Sequence, residues 1–336
     1  MPMKLARRGF LATAAAVAIA TSIGTGALAQ DKVKLRLSAV QSETDQRSVA
    51  MIEKFGPMVA DFADFEPHWN GTLYAQGTEL EAIASGDLEM SITSAQELAT
   101  FFPEFSIFTA GYVHQDAAHQ VAVFNDPLMD PFKKKVEDEL GVKLLSVMYL
   151  GRRQVNLRQP KAERTVMTPA DLAGVNLRMP GTDAWQFLGK ALGANPTPMA
   201  FTEVYTALST GSVDGQDNPL PTVVDAKFYE VTKQIVLTSH LVDLNYIALS
   251  KAAWDAMTPE QQEKVQAAAD AAADFGRENQ LKKEEELVAF LQEQGLDVYE
   301  PDVAAFREQV QKMYLESEYA ATWPEGVLDK INALGN

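Results

Sequence analysis

The chain of 336 residues contains no cysteine. Disulfides, thiolate nucleophiles and sulfur-ligated metals are therefore excluded, although this absence does not identify the compartment. Histidine is scarce as well, and His114 and His119 have no carboxylate pair nearby in the sequence that would complete a metal site. The sequence has no G-x-S-x-G elbow, no Walker loop and no H-E-x-x-H motif. We therefore predict no catalytic residue, no cofactor and no metal.

Basic residues are also fewer than acidic ones. The chain has 29 lysine and arginine residues against 46 aspartate and glutamate residues, which gives a net charge of −17. This balance argues against nucleic acid and anionic membranes as partners. A small anionic ligand remains compatible with it, because exposed charges are screened beyond roughly 8 Å at physiological salt, whereas a buried arginine is not.

A long apolar run occurs only at the N-terminus. Lys4, Arg7 and Arg8 precede an alanine-rich apolar stretch over 10–23, and a small-x-small cleavage motif ends at Ala29. This pattern predicts a signal peptide over the first 29 residues, because the run is too short for a membrane span. The paired arginines also resemble a twin-arginine export signal, with the general secretory route as the alternative. We expect a periplasmic protein whose net charge after cleavage is −20.

After the signal, strand and helix patterns alternate. Val33–Val40, Phe62–His68 and Leu88–Thr93 have strand patterns and are separated by helical ones. The order β-α-β-α-β predicts a parallel, doubly wound lobe.

Two later regions, near 142–157 and 234–249, are rich in strand patterns and are each predicted to contain two short strands. With no flexible linker in the chain, they suggest a polypeptide that passes between two lobes more than once. A capping box at Thr258 starts a helix that meets no breaker before Gly295. Such a helix, about 54 Å long, could brace both lobes. The pattern therefore predicts a two-lobed α/β fold with a central cleft.

The most informative stretch runs from Gly174 to Pro219 and has a strand–helix–strand–helix pattern. Apolar residues alternate with polar ones over 175–179, so Arg178 is predicted at the end of a strand, where α/β sheets place ligands. The second helix is predicted to stop at Gly211, and the polar run over 213–219 is predicted to be a turn.

The same stretch resembles the DctP-type solute-binding proteins of TRAP (tripartite ATP-independent periplasmic) transporters. The motifs that carry the resemblance are L-G-A-x-P-x-P-M over 192–199, F-x-E-V-Y-x-A-L over 201–208 and V-D-G-Q-x-N-P over 213–219. The resemblance extends from about residue 32 to about residue 319. It implies a periplasmic-binding-protein-like fold whose lobes are joined by crossing strands and one long bracing helix.

The domain boundaries that we predict follow from this architecture. Lobe I is expected to comprise 30–150 and 239–278, and lobe II to comprise 151–238 and 279–336.

The resemblance implies three polar contacts to a ligand. Arg178 stands at the arginine of a K-x-R-x-P motif, and in the family this residue holds the ligand carboxylate, to which a guanidinium can donate two parallel hydrogen bonds. Arg153 follows Gly151 in a G-x-R-Q motif and would be the second contact to the anionic end. Asn218 matches a polar residue near the carboxylate. Surface arginines without function are the alternative, and for Arg152 a solvated basic edge is equally possible.

Aromatic residues are expected to form part of the cleft wall. Phe201 resembles the aromatic wall of the family, and Trp185 is expected to face the cleft, although a buried tryptophan is common without a ligand. Tyr205 and Leu208 are predicted to belong to the core.

The first lobe must supply the opposite wall. Counted from Gly86, which matches a family glycine, Gln76 and Ser94 are candidates, and Gln41 after the first strand is a third. Here the sequence departs from the family, because the usual Q-L-G motif is replaced over 72–77. The resemblance therefore implies no particular substrate.

The function predicted from these residues is capture of a small organic carboxylate by a monomeric binding protein, followed by delivery to TRAP-type membrane permease subunits. An exported lyase or isomerase acting on an acidic small molecule is the alternative, and it would need a general acid or base in the cleft. A soluble sensor component is a third possibility. The predicted cleft residues include no histidine, which favours binding over catalysis.

Overall fold

In the computed structural model, the chain is described over residues 32–335, so the predicted signal peptide lies outside the described residues. The strands of this range form one mixed nine-stranded sheet. In chain order, β1 to β9 are Val33–Ser38, Ala63–His68, Met90–Ser94, Val142–Leu157, Asn176–Met179, Asn195–Pro198, Gly215–Asn218, Gln234–Ser250 and Asp297–Tyr299.

Helices pack on the sheet and fill the connections between its strands. In chain order, α1 to α13 are Gln46–Ala50, Gly56–Val59, Glu79–Ser85, Ala95–Leu98, Ala117–Asn125, Asp130–Leu140, Asp183–Ala191, Val204–Thr210, Leu220–Asp225, Lys251–Asp255, Pro259–Glu293, Val303–Leu315 and Val327–Leu334. A π-helical turn over Met51–Phe55 joins α1 to α2. The described helices include none that is long and apolar enough to cross a membrane.

The sheet has two parallel halves joined by a long antiparallel pair. Its order is β2-β1-β3-β8-β4-β7-β5-β6, with β9 beside β8. Strand β1 is parallel to β2 and β3, and β5 is parallel to β6 and β7. The first half, β2-β1-β3, confirms the predicted parallel β-α-β-α-β unit. Because parallel strands end together, the carboxyl ends of each half form a common edge for a site.

The long pair consists of β4, with 16 residues, and β8, with 17. The prediction of two short strands in each region was wrong, because the breaks are irregularities within continuous strands. The pairing register shifts at three places, between Leu144 and Ser146, between Tyr149 and Gly151, and between Arg153 and Val155. At the second shift Gly151 has a φ of 126°, and a Cβ there would lie 2.6 Å from a carboxylate oxygen of Glu284, so the position requires glycine.

Strand β7 corrects a second prediction. The polar run over 213–219 was predicted to be a turn, yet Gly215–Asn218 is a fully buried strand between β4 and β5. The Asp-Gly signal is local, whereas β4 pairs with all four residues and β5 pairs with Gly215 and Gln216. Tertiary pairing therefore overrides the turn propensity here.

The bracing helix is confirmed. Helix α11 has 35 residues, about 53 Å by its rise, and begins with the predicted capping box between Thr258 and Gln261. It packs against β4, α1 and α2 as well as against α9 and β9. One helix thus contacts elements beside both halves of the sheet.

Candidate ligand-binding site

A cavity lies where the carboxyl ends of the two parallel halves face each other across β4 and β8. The eight residues that the sequence analysis singled out all line it: Gln41, Gln76, Ser94, Arg153, Arg178, Trp185, Phe201 and Asn218. They come from distant parts of the chain, and the sheet topology brings them together.

Arg178 in β5 is a buried cation without an acidic partner. Its side chain is 1% exposed. Nε and Nη2 donate to the Met199 carbonyl at 2.9 and 2.7 Å, and Nη2 donates a longer bond of 3.3 Å to Gln76 Oε1. Among residues 32–335 no carboxylate forms an ion pair with it. Burial, and then the charge of Arg153, lower the pKa of Arg178 to about 9, which leaves it protonated at neutral pH.

Arg153 in β4 is equally buried but is fully engaged. Nε donates to Asp217 Oδ2 at 2.6 Å, Nη1 to Asp243 Oδ2 at 2.8 Å and Nη2 to Asp217 Oδ1 at 3.0 Å. Nη2 also donates to the Asp217 carbonyl, so four of its five N–H groups are used. Its charge is balanced within the protein, and one N–H group on Nη1 remains for a ligand.

The two carboxyl groups beside Arg153 differ in their protonation. Burial raises the pKa of Asp217, but Arg153 and His240 outweigh it and hold the pKa well below its usual range. Burial raises the pKa of Asp243 despite the nearby guanidinium. Asp217, which also pairs with His240 Nε2 at 3.0 Å, is therefore the ionised partner of Arg153, and Asp243 is the carboxyl that keeps a proton more readily.

A third arginine in the cavity, Arg47, was missed by the sequence analysis. It lies in α1, and its Nε and Nη2 each donate 2.9 Å bonds to the two carboxylate oxygens of Asp45. Nη1 donates to Asn245 Oδ1 at 2.8 Å. Arg47 is therefore neutralised by a bidentate pair and acts on the cavity as a hydrogen-bond donor without net charge.

Each of the two predicted aromatic residues faces an arginine. The Trp185 ring lies 4.5 Å from the guanidinium carbon of Arg153, and the Phe201 ring lies 5.9 Å from that of Arg178. Cation–π contacts of this kind hold a guanidinium in place without using its N–H groups. By contrast, Tyr205 is 37% exposed and the prediction that it belongs to the core was wrong, whereas Leu208 is fully buried as predicted.

Gln76 connects the two sides of the cavity. Its Oε1 accepts the backbone N–H of Phe201 at 2.8 Å and the longer bond from Arg178. Gln76 precedes α3, on the side of the first half of the sheet, whereas Phe201 and Arg178 belong to the second half. A single amide oxygen thus bridges two facing walls.

Glu97 lines the same wall as Ser94, the residue that caps α4. Glu97 Oε2 accepts from the Ser94 backbone N–H at 2.8 Å and from Thr93 Oγ1 at 2.9 Å. Burial raises the pKa of Glu97. Burial, and then Glu97, raise the pKa of nearby Glu79 to about 8.

Several buried polar atoms of the cavity have unused hydrogen-bonding capacity. Gln41 is 2% exposed and Thr222 is 3% exposed, and neither Gln41 Nε2 nor Thr222 Oγ1 has a hydrogen-bond partner among the described residues. Asn218 Nδ2 donates to Gln216 Oε1 at 2.5 Å. The side-chain carbonyl oxygen of Asn218 is therefore directed away from Gln216. Buried polar groups are normally satisfied, so these atoms indicate ligand contacts.

The residues that the sequence analysis missed carried a weak signal. Asp243 and Asn245 alternate along the apolar strand β8, which places both on its cavity face. Arg47 lies in α1, outside the strand ends and motifs from which the candidate residues were chosen, so it was passed over. No group of three or more potential metal ligands occurs within residues 32–335.

A family model described as "Bacterial extracellular solute-binding protein, family 7" (DctP) matches residues 53–320. The crystal structure of a TRAP periplasmic solute binding protein from Roseobacter denitrificans with bound 3-deoxy-D-manno-oct-2-ulosonic acid (KDO) is 77% identical to this chain. The two superpose with a TM-score of 0.90, over 91% of this chain and 100% of that one. This likeness confirms the predicted two-lobed α/β fold.

Two more distant relatives have named ligands. The sialic acid-binding periplasmic protein SiaP of Vibrio cholerae is 29% identical over 255 residues, which cover 76% of this chain and 77% of that protein. The 2,3-diketo-L-gulonate-binding periplasmic protein YiaO of Escherichia coli is 29% identical over 269 residues, which cover 79% and 80%. The chain thus belongs to the DctP family, family 7 of the bacterial extracellular solute-binding proteins, and is a solute-binding protein of the TRAP type.

Proposed function

We propose that this solute-binding protein captures the monoanion of a polyhydroxylated carboxylic acid, with Arg178 holding the carboxylate. The observation that carries the proposal is the uncompensated charge of Arg178 in a cavity whose other two arginines are paired. Arg47 is neutralised by Asp45 and Arg153 by Asp217. A buried cation with no anion is costly, and a ligand carboxylate would supply the missing charge.

The count of charges favours one carboxylate over two. A second carboxylate would have to face Arg47 or Arg153. Arg47 is already hydrogen-bonded to Asp45, and Arg153 to Asp217 and Asp243. It would be desolvated without gaining a free cation, and like charges in a buried site repel. We therefore expect dicarboxylates to bind much more weakly than monocarboxylates of similar size.

The remaining walls suit hydroxyl groups. Gln41 Nε2 and Thr222 Oγ1 have no hydrogen-bond partner within residues 32–335, and Asn245, Glu97 and Asp243 also line the cavity. An apolar ligand body would leave Gln41 Nε2 and Thr222 Oγ1 unsatisfied, at a cost of about 1–3 kcal/mol each. A sugar acid would satisfy them.

The relatives support the same class of ligand. The Roseobacter denitrificans structure, 77% identical, holds KDO, and the Vibrio cholerae and Escherichia coli proteins are named for sialic acid and 2,3-diketo-L-gulonate. We take KDO as the first ligand to test.

The hydrogen bonds of Arg178 suggest how the carboxylate would dock. Nη1 donates to no described residue, and the contact of Nη2 with Gln76 Oε1 is the longest of the group at 3.3 Å. A carboxylate that replaces Gln76 at Nη2 and takes Nη1 would form the parallel pair that a guanidinium favours. The Met199 carbonyl would hold the other edge of Arg178 in place. Arg153 would add its one free N–H group, and Asn218 its carbonyl.

Entry of such a ligand would require the walls to separate. The cavity has a volume of about 60 Å³, whereas pockets for small molecules usually measure about 300–1,000 Å³. We propose that lobe I, 30–150 with 239–278, and lobe II, 151–238 with 279–336, open and close about β4 and β8. Solution scattering should show compaction when KDO saturates the protein, and an unchanged radius of gyration would contradict closure.

The biological role follows from the family. We propose that residues 1–29 direct export to the periplasm, that the protein is a monomer there, and that the closed form is recognised by TRAP-type membrane permease subunits. The ligand would be released unchanged, so recovery of intact KDO by mass spectrometry after prolonged incubation is expected. Turnover of the bound acid would instead support an exported enzyme.

Calorimetry tests the proposed ligand class. Titrations with KDO, another sugar acid and a C4-dicarboxylate at equal ionic strength should rank the sugar acids first, by at least about tenfold over the dicarboxylate. Preference for the dicarboxylate would contradict the charge argument while leaving the family assignment intact.

A further inference from the structure

A second concave surface lies on the other face of β4 and β8. Successive residues of a strand point to opposite faces, and while Arg153 and Asp243 line the cavity described above, their neighbours Arg152 and Val242 line this pocket of about 500 Å³. Its remaining walls come from residues 112–115, from Ser239 in β8, and from α12 and α13. No acidic residue among residues 32–335 lines it, although the chain as a whole is strongly acidic.

Two arginines of the pocket have unused hydrogen-bonding capacity. Within residues 32–335 the guanidinium groups of Arg152 and Arg307 neither form an ion pair nor donate a hydrogen bond to another side chain or backbone group. The Arg307 guanidinium carbon lies 5.2 Å from the Tyr112 ring centroid, which fixes its position on α12. Glu284 interacts electrostatically with Arg152, and Glu284 Oε1 accepts the Arg152 backbone N–H at 2.6 Å.

A buried polar side chain also faces this pocket. His114 is 3% exposed, and neither ring nitrogen makes a hydrogen bond of normal geometry with a described residue. Burial, and then His119, lower the pKa of His114 to about 3, with only the Phe108 carbonyl opposing the shift. The imidazole is therefore neutral at pH 7 and can donate one N–H group without requiring a proton from solution.

We propose that this pocket is a second ligand site, which binds a small oxyanion carrying two negative charges between Arg152 and Arg307. Two guanidinium groups offer ten N–H donors in two planar forks, and oxyanions match that geometry. The two charges of such an anion would be balanced by the guanidinium groups of Arg152 and Arg307. A singly charged anion would leave the charge of one of these guanidinium groups uncompensated. The site is distinct from the sugar acid cavity, because Arg152 lies on the opposite face of β4 from Arg153, and Arg307 on α12 does not line that cavity.

Inorganic phosphate is the probe for the test. At pH 7.5 and constant ionic strength set with chloride, calorimetry should show saturable binding of phosphate to the wild-type chain at one site. Arg307→Gln and Arg152→Gln should each weaken it about tenfold or more, because each removes charged hydrogen bonds. Lys312→Gln on the same helix, outside the pocket, removes the same charge and should leave binding unchanged.

A further variant separates this site from the sugar acid cavity. Arg178→Ala should weaken KDO binding about 100-fold or more and leave phosphate binding intact, whereas Arg307→Gln should weaken phosphate binding about tenfold or more and leave KDO binding intact. Since Arg307 is exposed on α12, that variant is expected to fold even if Arg152→Gln does not. The proposal is overturned if phosphate does not bind saturably, if it binds Arg307→Gln as tightly as wild type, or if its binding disappears in Arg178→Ala.

Discussion

The sharpest test of the binding site is a conservative change at Arg178. Its side chain is 1% exposed and forms an ion pair with no acid among residues 32–335, so a ligand carboxylate would rely on the N–H groups of Nη1 and Nη2. A charged hydrogen bond contributes roughly 1.5–3 kcal/mol. Arg178→Lys keeps the charge but loses one bond of the parallel pair, so the affinity for KDO should fall roughly 10- to 150-fold. Arg178→Ala loses both bonds, about 3–6 kcal/mol, which corresponds to roughly 10²- to 10⁴-fold.

Isothermal titration calorimetry with KDO measures these losses directly. Arg158→Lys is the matched control, because Arg158 follows β4 without lining the cavity and should retain wild-type affinity. Far-ultraviolet circular dichroism checks that each variant is folded. Wild-type affinity in Arg178→Lys would refute the guanidinium pair, since an ammonium group cannot donate two parallel bonds.

Three further predictions concern the surroundings of Arg178. Gln76→Glu would place a carboxylate beside Arg178 Nη2 and the Phe201 N–H, where it would compete with the ligand, so calorimetry should show at least about a tenfold weaker binding of KDO. Asp217→Asn would leave buried Arg153 with Asp243 alone, and urea denaturation at pH 7 should show a loss of about 3 kcal/mol; an unchanged free energy of unfolding would argue against the ion pair. Burial raises the pKa of folded Glu79 to about 8, against about 4.5 for the unfolded chain, so this one group should lower the stability by up to about 1.4 kcal/mol per pH unit as the pH rises between those values. In Glu79→Gln this loss should shrink, and identical pH profiles of the two proteins would contradict the raised pKa.

Much of the site could be predicted from the sequence because its residues follow recognisable local patterns. Arg178 ends an alternating strand before Pro180, and Gln41 and Ser94 end or follow strands of a parallel unit. In a parallel sheet such positions meet at one edge. The DctP-like motifs added Arg153 and Asn218. Strand pattern alone would not have distinguished Arg153 from its neighbour Arg152.

The central strands were less predictable because long-range pairing decided them. The Asp-Gly dipeptide before Asn218 is a strong local turn signal, yet β4 and β5 pair with this segment on both sides. Likewise 142–157 and 234–249 were each predicted to contain two short strands, but the ladder between β4 and β8 continues past the predicted breaks. The local turn propensity contributes less free energy than the hydrogen bonds and burial that a central strand position provides.

By itself the sequence determined the α/β alternation, the long capped helix and the eight side chains that meet in the cavity, because periodicity and motifs encode which residues end strands. Only the tertiary structure decided how charge is distributed there. Asp217 and Asp243 come from β7 and β8 to neutralise Arg153, and Asp45 neutralises Arg47, which leaves Arg178 as the arginine of the cavity without an acid. Charge compensation depends on distances of about 3 Å between residues far apart in the chain, and no local pattern in the sequence specifies those distances.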